Sequence, residues 1–94
     1  MAFDSDISVK GAAAGATTTI SAARTRLKGF IIGVDGTNDG TVTFNDGGTA
    51  LFNVAVTGGT SDVSMNIPEN GVLFKSNLNV TTVNTTVNVF YTGA

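Results

Sequence analysis

Aspartate, asparagine and glycine crowd into one stretch, GVDGTNDGTVTFNDGG (residues 33–48), at a spacing that invites a calcium reading. An EF-hand loop is written D-x-[DN]-x-[DN]-G-x5-E, because oxygen ligands at set positions wrap a hard cation and a glycine makes the sharp turn. Counted from Asp35, Asp39 and Gly40 fall at positions 5 and 6, Val42 at position 8 and Asp46 at position 12. Position 3, however, is Thr37, and Asp46 is shorter than the glutamate that closes such loops in bidentate fashion. The flanks KGFIIGV and GTALFNVAV are β-branched and glycine-containing where the loop geometry demands helices. TVTFN, which would have to wrap the ion, alternates polar and apolar as a strand does. The stretch is therefore read as two hairpin turns with a strand between them. Asp35, Asp39 and Asp46 keep at most the role of a weak, non-EF carboxylate site, and no metal ligand is assigned.

Catalysis needs an activated nucleophile, a pair of carboxylates or a metal. The chain has no histidine and no cysteine, which removes the commonest general base, the commonest zinc ligand and every thiolate. Serine and threonine are plentiful, but no Ser-x-x-Lys spacing offers a lysine as base. The aspartates stand beside glycines and read as turn formers. The expectation is a non-enzymatic protein without a cofactor.

Binding has more to work with. The one basic cluster is RTRLK. On a strand, Arg24, Arg26 and Lys28 share one face, and Leu27, Gly29 and Ile31 the other. Past Lys28 the basic face turns apolar at Phe30, Ile32 and Val34, so the strand is expected to run from a rim into a region covered on both sides. Such a cluster is either a solvated strand start or a positive patch that docks an acidic surface. Phe90, between Val89 and Tyr91, faces opposite to them beside Thr86 and Asn88, and an aromatic on a polar strand face points to an interface. Arg24, Arg26, Lys28 and Phe90 are thus the candidate partner-binding residues. Nucleic acid is not expected. Three clustered charges in a chain of net charge −2, with one tyrosine and no tryptophan, offer little to hold phosphates or stack bases.

The elements that position these residues follow from pattern. From Thr25 onward the period is two: Val42 and Phe44, then Ala50, Phe52, Val54 and Val56, then Val63, Met65 and Ile67, Leu78 and Val80, and Val87, Val89 and Tyr91. Gly-containing breaks separate them at Asp35-Gly36, Asp39-Gly40, Asp46-Gly47-Gly48, Gly58-Gly59 and Asn70-Gly71. The echo TTVN-TTVN (residues 81–88) is read as a hairpin turning at Asn84-Thr85. The fold class is all-β, an antiparallel β-sandwich or jelly roll of about seven to nine short strands.

Residues 1–23 differ. GAAAGATTTISAA has Ile20 as its only large apolar group, so the segment is expected to be a flexible N-terminal arm, with residues 24–94 forming the sandwich domain. Short strands near Ile7–Val9 and Thr18–Ile20 are compatible with it. The N-terminus lacks the basic and apolar regions of a signal peptide, and no apolar run approaches a membrane span, so synthesis in a cytoplasm and no membrane partner are expected. A chain of 94 residues without disulfides has a modest core, and association is its remaining source of stability.

Three stretches carry a resemblance: RLKGFIIGVDGTNDGTVTFNDGG, MNIPENGVLFKSNLNVTTVN and the terminal VNVFYTG. Over about residues 25–93 the chain resembles very small virion structural proteins of tailed phages, marine and cyanobacterial ones especially. The resemblance implies a β-sandwich that decorates or cements a capsid, commonly as a trimer, with the major capsid protein or other virion proteins as partners and the capsid surface as location. It offers no catalytic or ligand residue by position. A tail or fibre component, and a small carbohydrate-binding β-sandwich module, are the alternative expectations.

Overall fold

The computed structural model describes residues 7–68 and 71–93. Residues 1–6 of the expected arm and Asn70 of the expected Asn70-Gly71 turn lie outside the described residues. Nine strands form among those described: β1 (Ser8–Ala12), β2 (Thr17–Ser21), β3 (Thr25–Val34), β4 (Gly40–Asp46), β5 (Thr49–Val56), β6 (Val63–Asn66), β7 (Val72–Phe74), β8 (Leu78–Val83) and β9 (Thr85–Gly93). They make two antiparallel sheets packed face to face, the β-sandwich that the period-two pattern predicts. The first sheet runs β1-β9-β3-β6, with β7 in line beyond β6 along the same side of β3. The second runs β2-β8-β4-β5.

Between the sheets lies one core. Leu27, Phe30 and Ile32 of β3 meet Val42 and Phe44 of β4, Leu78 and Val80 of β8, and Val87 and Val89 of β9. The Phe30 and Phe44 rings are 5.0 Å apart and tilted, and Phe52 stacks on Phe44 at 4.7 Å. Each such fully buried side chain contributes about 1.5–3 kcal/mol relative to exposure. Gly40 begins β4 at a close approach: a Cβ there would strike the Val83 carbonyl and lie 2.5 Å from Thr85 Cγ2. Only glycine lets β4 pass so near the corner between β8 and β9.

Three expectations change. The first concerns the arm. Residues 8–12 pair with β9 from Ser8↔Tyr91 to Ala12↔Val87, and residues 17–21 pair with β8, so these residues complete both sheets. Ile20 and Ala12 are buried. The buried Thr82 ties the intervening loop down, its hydroxyl donating to the Ala13 carbonyl at 2.6 Å. The segment is poor in apolar surface, and backbone pairing supplies what its side chains lack. The second concerns the hairpins. β8 and β9 lie in different sheets, so Asn84, at φ 55°, is a corner between sheets and not a hairpin turn. The segment between β3 and β4 likewise crosses from one sheet to the other, while Gly47-Gly48 makes a true hairpin of β4 and β5.

The third concerns β3 itself. Its register against β9 shifts between Leu27 and Gly29, a β-bulge that adds one residue and flips the alternation. Thr25 and Leu27 face the core before it, and Phe30 and Ile32 after it. The strand is therefore not covered on both sides. Ile31 stays on the outer face, 39% exposed.

Candidate docking face

What the bulge leaves on the outer face of the first sheet is a mixed basic and apolar strip. Arg26 sits opposite Thr92 of β9 and Leu73 of β7. Lys28 occupies the bulge, and the next residue, Gly29, is paired with Phe90. Phe90 is in turn paired with Val9 of β1, which is 58% exposed. Ile31 follows, flanked by Asn88 and Ser64. Arg26, Lys28 and Phe90 are half-buried. Long basic side chains in that state lay their stems on apolar neighbours.

The structure thus brings three of the four predicted residues, Arg26, Lys28 and Phe90, into one strip. Arg24 is exposed in the link just before β3, at the end of the sheet where Thr25 pairs with Gly93. Two contributors escaped the sequence reading. Val9 lay in the expected arm, and Ile31 reaches the outer face only because of the bulge, for which Gly29 was the sole local signal.

The aspartates do something else. Asp35 accepts the Thr37 N–H at 3.1 Å and an Asn38 side-chain N–H at 3.3 Å. Asp39 accepts the Gly58 N–H at 2.9 Å, and Asp62 accepts the Val34 N–H at 3.1 Å. Asp46 accepts three backbone N–H groups, from Lys75 and Ser76 at 2.9 Å and Asn77 at 3.4 Å. Those bonds, Ser76 and Lys75 foremost, hold its carboxyl below the usual carboxylate range. Asp39 and Asp46 stand at opposite ends of β4, about 20 Å apart at strand rise, so the three expected acids do not converge on one ion. Among the described residues no group of three or more metal-ligating acids is formed.

Charge is consequently sorted along the strands. Arg24, Arg26, Lys28 and Lys75 gather toward the end where β3 starts and β7 stops, with Asp46 the one acid beside them among the described residues. Asp35, Asp39 and Asp62 gather at the other end, where β3 stops. The outer face of the second sheet is unlike either. It carries a ladder of threonine and asparagine, with Thr17 and Thr81 hydroxyls 3.0 Å apart and Asn45 donating to Thr81 at 3.2 Å. Asn79 Oδ1 is buried there without a hydrogen-bond partner, and nothing in the structure explains it.

Three surface depressions formed by the described residues at the sandwich corners are shallow and lined mainly by glycine, alanine, threonine, asparagine and valine, with at most one carboxylate in each. They offer no nucleophile with a base beside it. The strip on the first sheet is the one place where the predicted residues meet. Comparison with protein-family models, with curated proteins and with solved structures finds no match, so the reading of this face rests on its own geometry and chemistry.

Proposed function

We propose that the chain is a structural protein of a phage particle, one that decorates or cements the capsid shell and acts by shape and avidity without chemistry. One observation supports it most: the fold gathers Arg26, Lys28 and Phe90 with Val9 and Ile31 on one sheet face, while Asp35, Asp39 and Asp62 stand at the far end. A sheet face with apolar anchors and basic side chains fits an acidic protein surface. The sequence resemblance supplies the identity of that surface, a repeating shell built of the major capsid protein. On a lattice, many weak contacts sum to stable attachment.

The carbohydrate-binding alternative loses ground on geometry. Such sites present a platform of aromatic rings, and here Tyr91 packs toward the core while Phe90, one residue earlier, faces out. Among the described residues Phe90 alone places a ring on an outer face. The tail or fibre reading shares the docking argument and differs in copy number. Mass spectrometry and electron imaging of the native particle test the proposal. The expected result is on the order of hundreds of copies spread over the shell, the number a repeating lattice demands. A few to dozens of copies confined to the tail would establish the alternative, and absence from the particle would overturn both.

A further inference from the structure

A sandwich has edge strands, and every edge exposes unpaired N–H and C=O groups that template another strand unless something blunts them. Three of the edges here are blunted. β1 carries Lys10, whose cross-strand partner Val89 lies in the core, so a charge sits on the inward side of that edge. β2 is five residues long and its register breaks between Thr19 and Ser21. The edge formed by β6 and β7 consists of strands of four and three residues, separated by a segment that contains Pro68.

β5 has none of these devices. It is eight residues long, and after one irregularity near Leu51 it runs regularly from Phe52 to Val56. No charged residue and no proline occurs from Gly47 to Ser61. Its inward side chains Phe52 and Val54 are only half-buried, Leu51 is 45% exposed, and Met65, on the edge strand of the other sheet, is 51% exposed. The core is left open along that side.

We infer that β5 is a homotypic edge, where a second copy of this chain pairs antiparallel about a two-fold axis and joins the two four-stranded sheets into one of eight strands. Charge selects this occupant. In a two-fold contact a strand faces its own sequence, so any charge on it would meet its like, and β5 has none to repel. A charged partner strand would find no counter-charge over those fifteen residues. Registers that pair even-numbered residues with even-numbered ones keep Phe52, Val54 and Val56 of both copies on the core side. Such a register covers the half-open rim of each copy with that of the other. The trimer implied by the phage resemblance would instead need β5 to meet a different, blunted edge.

Sedimentation velocity and light scattering on the full chain test this. Asn53 and Ala55 are exposed and alternate with the inward residues, so lysine fits at either without entering the core. The wild type is expected to be a dimer at micromolar concentration. A55K should raise its dissociation constant by roughly a hundredfold, as like charges opposed in a paired edge do, with circular dichroism unchanged. A55E should do the same, and mixing A55K with A55E should restore dimers. V9K, on the β1 edge, should leave association intact. A monomeric wild type, a trimeric mass, or dimers broken by V9K and not by A55K would overturn the inference. So would a wild type that stays monomeric yet loses particle attachment in A55K, which would assign β5 to a strand of the shell protein. The inference stands apart from the proposed function, since the dimer is measured without particles.

Discussion

Asp46 shows how a residue that invites a ligand reading is satisfied by its own chain. Its carboxylate receives N–H groups from Lys75, Ser76 and Asn77, and so fixes the link between β7 and β8 beside the turn that starts β5. A charged acceptor for backbone donors makes stronger hydrogen bonds than a neutral one. Because these bonds hold the folded-state pKa below the ordinary value of 3.8, the group contributes stability that is fully present above about pH 4. That contribution is lost as pH falls through the lower, folded value. Asp46→Asn keeps one acceptor oxygen and removes the charge. Chemical denaturation should find the variant less stable at pH 7. The gap should narrow steadily as the solution is acidified below pH 4. A gap that held constant with pH would mean that the charge contributes nothing. The sequence identified Asp46 as a turn residue from the glycines after it, but its three donors lie about thirty positions away, beyond any local pattern.

At the scale of elements, periodicity carried most of what could be read. Val42 with Phe44, Phe52 with Val54 and Val56, and Val87 with Val89 all face inward as alternation requires. Which strands pair was not legible, because a turn signal looks the same whether the chain folds back in one sheet or crosses to the other. The TTVN-TTVN echo is the case in point: Asn84 and Thr85 have turn chemistry, but Asn84 donates to the Asp39 carbonyl and Thr85 to that of Thr41, which seats them at a corner between sheets. The first strands were hidden for a different reason. Their apolar residues are few, and their attachment runs through ladders to β8 and β9 and through Thr82, some 66 to 69 residues distant. These strands also protect the edges of β8 and β9. Deleting residues 1–21 should therefore expose both edges and the buried Val80, Val87 and Val89 beneath them. The expected outcome is loss of cooperative unfolding together with aggregation in light scattering. A soluble truncated chain with a sharp unfolding transition would show that the seven remaining strands suffice.

For the molecule as a whole, the separation of charge matters more than the net value of −2. Among the described residues, Arg24, Arg26, Lys28 and Lys75 stand toward one end against Asp46, a balance of +3, and Asp35, Asp39 and Asp62 at the other, a balance of −3, along a body whose longest extent is 43 Å. That length is several times the Debye length of about 8 Å at physiological salt. A surface near the basic end is therefore met first by these four cations and only one described acid. An acidic shell would orient the molecule before contact, basic end first, and Val9, Ile31 and Phe90 would then exclude water from the docked strip. The two parts separate by experiment. Binding of the wild-type protein to particles that lack it should weaken several-fold as salt rises from about 0.05 to 0.5 M, a change that shortens the Debye length to a few ångström. Charge reversal in R24E/R26E should weaken binding at low salt and flatten that dependence. Phe90→Ala should weaken binding equally at all salt concentrations, because apolar burial is not screened. Asp62→Asn, at the acidic end and with its acceptor oxygen kept, should leave both affinity and salt dependence as they are. If R24E/R26E bound with the wild-type affinity and slope, the basic end would face solvent, and the docking surface would have to be sought on the uncharged threonine and asparagine ladder of the second sheet.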